Sequence, residues 1–169
     1  NTTGFQNSVQ GAYALYYNTT GYYNSALGVN ALYSNTTGYL NSAQGVNALF
    51  YNTTGYQNSA QGYQALYYNT TGIGNTGLGY YTGLGLNDTN QDERSVIDNY
   101  STFVGYNAGR DGAVASTTAL TGASALGYNA RAGANYSMAL GGLGSYAVRV
   151  GIASSTPAAR LSLEQGSAT

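Results

Sequence analysis

The sequence predicts an all-β fold, a parallel β-solenoid (β-roll) in which each repeat of the sequence forms one coil. The main observation is that Asn-Thr-Thr-Gly recurs with a constant period of seventeen, at Asn1, Asn18, Asn35, Asn52 and Asn69. A unit of this length is too short for the helix pairs of α-solenoids, which need more than about 30 residues. The units are also rich in Gly, Thr, Asn and Tyr, which disfavour helix and suit short strands between turns.

The first four repeats share a fixed pattern. Asn-Thr-Thr-Gly occupies positions 1 to 4, Asn-Ser positions 7 and 8, Gly position 11, and Ala-Leu positions 14 and 15. We interpret these positions as inward or turn-forming, and the variable positions 6, 10, 12, 13 and 17 as mostly outward. Each coil is expected to hold two strands of about four to six residues and two tight turns. In the Asn-Thr-Thr-Gly turn, Asn bonds nearby backbone and Gly takes a positive φ, whereas Gly at position 11 marks a bend or a close backbone approach.

Stacked coils place equal positions above one another, about 4.8 Å apart. The sequence therefore predicts an inward apolar column and two aromatic packing ladders, with Asn and Thr ladders beside them. The apolar column is Leu15, Leu32, Leu49 and Leu66. The ladders are Phe5, Tyr22, Tyr39 and Tyr56 at position 5, and Tyr16, Tyr33, Phe50 and Tyr67 at position 16.

Charge is scarce and uneven. Only 7% of residues are charged, and residues 1–87 contain no Asp, Glu, Lys or Arg. Without His or Cys, zinc sites, thiol nucleophiles and histidine acid–base catalysis are excluded, so we expect neither an enzyme nor a cofactor. A net charge of −1 without a basic cluster argues against nucleic acid as a partner. No apolar run is long enough to cross a bilayer, so no membrane insertion is expected.

The composition divides the chain into four segments. Residues 1–85 hold five repeats, residues 86–101 form a charged segment interpreted as a surface loop, and residues 102–147 return to coils of shorter period. Within the third segment, Ala125-Leu126-Gly127 recurs as Ala139-Leu140-Gly141 with a period of fourteen. Residues 148–169 are interpreted as a docking or neck segment.

Several stretches resemble a known family. The NTTGYxNSAxGxxALYx array and the stretch TALTGASALGYNARAGANYSMALGG resemble the head repeats of trimeric autotransporter adhesins and related phage tail fibres. The tail VRVGIASSTPAARLSLEQG resembles the segment that follows such repeats, with Ala153 in place of a usual Gly. The resemblance implies left-handed parallel β-rolls, one per chain, wound into a homotrimer outside the cell, at the cell surface or on a virion tail fibre.

An oligomer is also expected from the residues themselves. A 17-residue coil encloses little apolar material, so burial of a second face against sister chains would supply the missing area. Residue 1 begins a repeat without a polar cap, which suggests a fragment of a longer chain or an open end that docks head to tail.

Three sets of candidate site residues follow from the motifs. Asp88, Asn90 and Asp92 match the first half of a calcium loop, but Glu93 stands where Gly is needed. We therefore favour a solvated loop there. Asn-X-Ser/Thr sequons that could carry glycans lie at Asn1, Asn18, Asn35, Asn52, Asn69, Asn87, Asn99 and Asn135. Tyrosines at variable positions that could stack on sugars are Tyr17, Tyr23, Tyr51, Tyr63, Tyr68 and Tyr81.

The sequence thus favours a structural protein of an extracellular fibre or filament, a stiff trimeric rod. The alternative is an adhesin or tail-fibre segment that binds host-surface glycans. A third interpretation, an ice-binding solenoid, depends on the stacked Thr-Thr pairs presenting a flat hydroxyl array.

Overall fold

Parallel strands stacked one per coil form the main sheet of the protein. The computed structural model describes residues 2–83, 98–111 and 119–141, and these contain ten strands and no helix. The strands are β1 (Ser8–Gln10), β2 (Ser25–Leu27), β3 (Ser42–Gln44), β4 (Ser59–Gln61), β5 (Thr76–Leu78), β6 (Thr102–Val104), β7 (Gly109–Arg110), β8 (Ser124–Leu126), β9 (Arg131–Ala132) and β10 (Met138–Leu140). An eight-stranded parallel sheet runs β1-β2-β3-β4-β5-β6-β8-β10, and β7 pairs with β9. The predicted parallel β-solenoid is confirmed.

The strand register follows the repeat and then departs from it. Ser42 pairs with Ser25 on one side and with Ser59 on the other, so equal repeat positions stack. After β5 the offset lengthens, because Thr76 pairs with Thr102 and Thr102 with Ser124. It then shortens to the predicted period of fourteen, at which Ala139 pairs with Ala125.

Each of the first five coils contains one strand of three residues, so the expectation of two longer strands per coil is wrong there. The reason is that three residues per coil, at positions 6, 13 and 15, have a positive φ and turn the chain sharply. In the second coil these are Tyr23 (φ 53°), Asn30 (φ 56°) and Leu32 (φ 53°). Outside the strands, neighbouring coils are still joined by backbone hydrogen bonds such as Leu32 N–H to the Ala48 carbonyl, 3.0 Å.

The apolar core is narrow and made of columns. The predicted Leu column is confirmed, since Leu15, Leu32, Leu49 and Leu66 are 5%, 0%, 0% and 3% exposed. Alanines at positions 9 and 14 form two further buried columns beside it. In the fifth coil, Gly77 and Gly83 replace the Ala and the Leu, and Phe103 of the next coil lies beside Gly83. The larger ring therefore takes up part of the space that the two glycines leave.

Two columns of asparagine fill the rest of the interior. The first column lies at position 1, where the Asn52 amide donates to the Asn35 side-chain oxygen at 2.8 Å and to the Gly55 carbonyl at 3.0 Å. The same bonds recur for Asn35 one coil earlier. The local bond from Asn to backbone confirms that the Asn of the turn bonds nearby backbone.

The second asparagine column lies at position 7. The Asn41 side-chain oxygen accepts the backbone N–H of Asn58 at 3.0 Å and its amide at 3.1 Å, while the Asn41 amide donates to the Gly55 carbonyl at 2.9 Å. At the top of this column the Asn75 oxygen accepts the Ser101 N–H at 2.9 Å, across the break in the repeat. Each buried amide therefore connects neighbouring coils through directed bonds.

Glycine is required at two positions of the coil because backbones approach closely. At position 11, Gly45 has a φ of 137°, and a Cβ there would lie 2.3 Å from the Gly62 carbonyl oxygen, as the predicted close approach requires. The expectation of a positive φ at the Gly of Asn-Thr-Thr-Gly is wrong, since Gly38 does not have a positive φ. A Cβ at Gly38 would instead lie 2.3 Å from the Asn35 side-chain oxygen.

Residues 98–101 belong to the stack, which corrects the interpretation of 86–101 as one surface loop. Asp98 and Ser101 are 1% and 0% exposed, and Asn99 forms a parallel bridge with Thr121. These residues occupy the coil positions that precede strand β6, where their polar groups complete the asparagine column. Residues 86–97 and the segment 148–169 lie outside the described residues.

We predict that Asn41→Ala destabilises the fold by about 2 to 4 kcal/mol, since it leaves the buried Asn58 N–H without its acceptor and the Gly55 carbonyl with only the bond from Asn52. Urea denaturation followed by circular dichroism measures the change. Thr37→Ala, at an exposed bend of the same coil away from the sheet, is the matched control and should stay within about 0.5 kcal/mol of the wild type. Equal effects of the two substitutions would contradict the role of the asparagine column.

Candidate interaction surfaces

The outer face of the eight-stranded sheet is a candidate interaction surface, and we call it the sheet face. It consists of the side chains at positions 8 and 10 of each coil, which flank the inward position 9. Position 8 carries Ser or Thr in β1 to β6 and in β8, and Met138 in β10. Position 10 carries Gln10, Leu27, Gln44, Gln61, Leu78, Val104, Leu126 and Leu140. Leu27 and Leu78 are both 44% exposed. The face is uncharged along the whole described sheet.

Aromatic ladders run along the stack beside the sheet face. At position 5, Phe5, Tyr22, Tyr39 and Tyr56 stack with ring centroids 4.6 to 5.0 Å apart and planes within 7°. At position 16, Tyr33 and Phe50 stack at 4.8 Å, within a ladder that runs from Tyr16 to Tyr67. Both predicted packing ladders are confirmed, and stacked ring pairs of this kind stabilise the fold beyond the area that they bury.

A third aromatic ladder lies at position 12, and the sequence analysis missed it. Tyr63, Tyr80, Tyr106 and Tyr128 stack at 5.1 to 5.3 Å and are 39% to 49% exposed. The signal for it is present in the sequence, because each of these tyrosines directly follows the position-11 Gly. The variable spacing of the later coils hides this alignment until the strands are paired.

The tyrosines that the sequence proposes for sugar contact lie on the outside, on two of the coil's edges. Tyr51 and Tyr68 stack at 5.6 Å beside the position-16 ladder, whereas Tyr17, two coils away from Tyr51, contacts Tyr16 and Tyr33 of that ladder. Tyr63 and Tyr81 contact each other at the position-12 edge, 5.6 Å apart. Tyr23 lies apart from both groups, edge-on to Phe5 and Tyr22. The described structure therefore brings four of the six candidates together as two pairs, Tyr51 with Tyr68 and Tyr63 with Tyr81.

The crowding of tyrosine hydroxyls raises two tyrosine pKa values. Burial, reinforced by Tyr51, raises the pKa of Tyr67 to about 12. A side-chain hydrogen bond with Tyr80, together with burial, raises the pKa of Tyr81 to about 12. In both cases the folded chain favours the neutral phenol, because a phenolate would lie among other phenols rather than in water.

The sequons of the repeat do not present their asparagines to solvent. Asn18, Asn35, Asn52 and Asn69 are at most 2% exposed, and each donates its amide to the backbone or to the asparagine below. A glycan is attached through that same nitrogen, so the folded repeat is incompatible with glycosylation at these four sites. The sequon Asn135 is exposed, Asn99 is half-buried, and Asn1 and Asn87 lie outside the described residues.

The Thr-Thr pairs lie in bends of the chain. The hydroxyls of Thr19, Thr36 and Thr53, each the first of its pair, donate to the backbone of the next coil, as from Thr36 to the Thr53 carbonyl at 3.0 Å. The second Thr of each pair is exposed, as at Thr37 and Thr54. Because these three hydroxyls are bonded to backbone and the described pairs lie in bends rather than in strands, this geometry disfavours the hydroxyl array that ice binding requires.

Three of the four described charged residues, Asp98, Arg110 and Arg131, are buried where the repeat has ended, and Asp111 is half-buried. Arg110 Nη1 lies 3.4 Å from Asp98 Oδ1, and the Leu120 N–H donates to the same oxygen at 2.9 Å. Burial raises the pKa of Asp98, while the Leu120 bond and Arg110 act in the opposite direction. Burial lowers the pKa of Arg131 to about 10. The sequence analysis placed Asp98 in a solvated loop and gave no signal of this buried pair.

The calcium candidates Asp88, Asn90 and Asp92 lie outside the described residues. Within residues 2–83, 98–111 and 119–141, no group of three or more acidic side chains is placed to hold a metal ion. The same ranges contain no long apolar helix of the kind that crosses a membrane.

Comparisons with protein-family models, with curated proteins and with solved structures find no match for the chain. The fold and its surfaces define a parallel β-solenoid whose described outside is neutral and aromatic along the repeats. The resemblance of its repeats to adhesin heads remains a prediction.

We predict that the stability of the fold falls as the pH rises from about 10 to about 12. An unfolded tyrosine releases its proton near pH 10, whereas Tyr67 and Tyr81 keep theirs to about pH 12 in the folded chain. The unfolded state therefore binds fewer protons in this range, and stability present below pH 10 is lost as the pH increases.

Thermal melting followed by circular dichroism across this pH range measures the effect. The variant Tyr67→Phe, Tyr81→Phe should lose less stability over the range than the wild type. Tyr136→Phe, at a tyrosine that is 81% exposed, is the control and should follow the wild-type curve. A wild-type melting temperature that is constant from about pH 10 to about pH 12 would contradict the prediction.

Proposed function

We propose that the protein is a structural component of an extracellular fibre, in which three copies of this solenoid associate side by side into a stiff rod. The observation that carries the proposal is the sheet face, an uncharged surface of small polar and aliphatic side chains that runs along eight stacked strands. Monomers in solution depend on surface charge to stay dispersed. A long neutral face is instead suited to packing against an equal face of another copy.

The thin core supports the same conclusion. The interior of each of the second, third and fourth coils holds one Leu, two small alanines and two asparagines, so the chain buries little apolar area for its length. Packing of the partly exposed Leu27, Leu78 and Leu140 between copies would add apolar burial without any change of fold. The placement outside the cell is supported by the resemblance of the repeats to adhesin heads and tail fibres.

Analytical ultracentrifugation over a hundredfold range of concentration tests the proposal. A constant mass of three chains is expected for a trimeric rod, and a mass that grows with concentration would indicate that rods also join head to tail. A mass of one chain throughout would contradict the proposal.

The sheet face is tested by substitution. Leu27→Lys with Leu78→Lys should reduce the assembly to single chains, because like charges would face each other at the interface at a cost of several kcal/mol. Thr20→Lys with Thr71→Lys adds the same charge to the same two coils, at exposed bends away from the sheet, and should leave the mass unchanged. Loss of assembly in both variants, or in neither, would count against this face as the interface.

Glycan binding is the second candidate function, and the exposed tyrosine clusters favour it. Tyr17 is 54% exposed and Tyr63 is 39% exposed, and both rings are held by their neighbours. Ordered aromatic faces next to amide side chains can stack on sugar rings and bond their hydroxyls. A tyrosine cluster of this kind would serve a fibre that attaches to a cell surface.

A glycan array tests this second candidate. Binding that is lost in Tyr17→Ala with Tyr63→Ala, and kept in Tyr136→Ala, would support a carbohydrate site on the clusters. The control removes a ring that is more exposed than either, so it separates stacking at a defined site from general surface adhesion. If the array shows no binding, glycan binding is excluded as a candidate function and the structural role is the one that stays proposed.

A further inference from the structure

Two pairs of tyrosines on adjacent coils lie in contact at the position-16 edge. The rings of Tyr17 and Tyr33 have centroids 5.0 Å apart at 89°, and those of Tyr51 and Tyr67 lie 5.1 Å apart at 82°. The Tyr17 hydroxyl raises the pKa of Tyr33, and burial together with Tyr51 raises the pKa of Tyr67, as expected for phenols whose hydroxyls lie near each other. Since the ortho carbons of a phenol flank its hydroxyl, edge-on rings at this separation bring the ortho carbons of the two rings within reach of each other.

Few side chains other than tyrosine in this sequence react readily with a one-electron oxidant. The sequence contains no Cys and no Trp, and its one Met is Met138, on the last strand of the sheet. Thiols, indoles and thioethers are the side chains that usually compete with phenols for one-electron oxidants. The chain has 19 tyrosines and neither thiols nor indoles, so a tyrosyl radical formed at the surface stays on tyrosine.

We propose that Tyr17–Tyr33 and Tyr51–Tyr67 are sites of oxidative cross-linking, at which a haem peroxidase with hydrogen peroxide joins neighbouring coils by dityrosine bonds. Tyr17, which is 54% exposed, is the accessible member of the first pair. Phe50 lies between Tyr33 and Tyr67 in the ladder and cannot couple, so it separates the two pairs. This inference goes beyond the proposed function, since it applies to a single chain as well as to a trimer.

The reaction balances with peroxide as the only oxidant. Each of the two phenols gives up one electron and its hydroxyl proton, and hydrogen peroxide takes up the two electrons and two protons to become two waters. The two phenoxyl radicals then form one carbon–carbon bond between their ortho carbons. The hydrogen on each of those carbons moves to the phenolic oxygen, which restores both aromatic rings and both hydroxyls.

Each cross-link would fasten one coil covalently to the next. The first joins the first coil to the second, and the second joins the third coil to the fourth. Bonds of this kind close short loops and so restrict the unfolded chain more than the folded one. The cross-linked solenoid should therefore unfold at a higher temperature than the untreated protein.

The experiment treats the full chain with a haem peroxidase and hydrogen peroxide at low protein concentration. Expected results are dityrosine fluorescence, loss of two hydrogen atoms per cross-link in the intact mass, and cross-linked peptides that contain Tyr17 with Tyr33 and Tyr51 with Tyr67. The same treatment in urea should abolish these two cross-links, because their partners lie in different coils and meet only in the folded chain.

Matched variants separate the paired geometry from simple exposure. Tyr17→Phe with Tyr51→Phe keeps both rings and should lower the fluorescence that arises within single chains. Tyr100→Phe with Tyr136→Phe removes two tyrosines that are 62% and 81% exposed and should leave that fluorescence unchanged. Circular dichroism confirms that each variant is folded.

Three results would overturn the proposal. The first is cross-linking through Tyr100 and Tyr136 alone, which would show that exposure selects the sites. The second is equal fluorescence in the two variants. The third is a wild-type chain in which peptide mapping finds no link between the named pairs, a result that does not depend on any variant's folding.

Discussion

The structure depends on asparagine side chains that bond to one another along the axis of the stack. Each asparagine amide carries both a hydrogen-bond donor and an acceptor, so one side chain can bond to the coil before it and to the coil after it. Asn41 does this through its side-chain oxygen, which accepts the Asn58 N–H of the next coil, and through its amide, which donates to the Asn24 side-chain oxygen of the coil before. Buried amides of this kind are costly unless bonded, and here the bonds are directional. They therefore fix the register of the coils, which a thin column of Leu and Ala would leave poorly defined.

Close approach of the backbones follows from the same arrangement. An asparagine is short, so its bonds to the next coil form only if the turns of both coils lie against each other. Glycine at position 4 leaves room for the Asn35 oxygen, and glycine at position 11 leaves room for the next coil's carbonyl. The coil then closes within a single repeat by placing Leu, Asn and similar residues at positive φ, which costs of order 1 kcal/mol or more at each. The asparagine bonds and the stacked rings offset that cost.

The sequence was sufficient to predict the solenoid, the Leu column and the ladders at positions 5 and 16, because exact repetition makes stacked positions equal. It was not sufficient where conformation contradicts propensity. Leu49 at a φ of 51° is disfavoured by local preference and is stabilised by packing, so the three sharp turns of each coil, and with them the short strands, could not be foreseen. The Asp98–Arg110 pair and most of the position-12 ladder lie beyond the regular repeats, where alignment requires the paired strands. The sequons were misleading, since repetition of a buried turn creates glycosylation motifs by coincidence.

Stacking in register also explains why the repeats carry no charge. A charged side chain at any fixed position would lie about 4.8 Å from an identical charge on each neighbouring coil. Two like charges at about that distance repel by about 1 kcal/mol even in water, and by more near a protein surface. Asn, Thr and Tyr avoid this repulsion because each side chain can both donate and accept a hydrogen bond, and Tyr rings can also stack on one another. Each of these residues therefore interacts favourably with an identical residue on the next coil. In the described chain, charged residues occur where the offset between paired strands changes. There the two arginines do not pair with each other in register, since Arg131 pairs with Gly109 and Arg110 pairs with Ala132. The neutral exterior of the repeats therefore follows from the stacking of equal positions. The sheet face that could join chains is uncharged for the same reason.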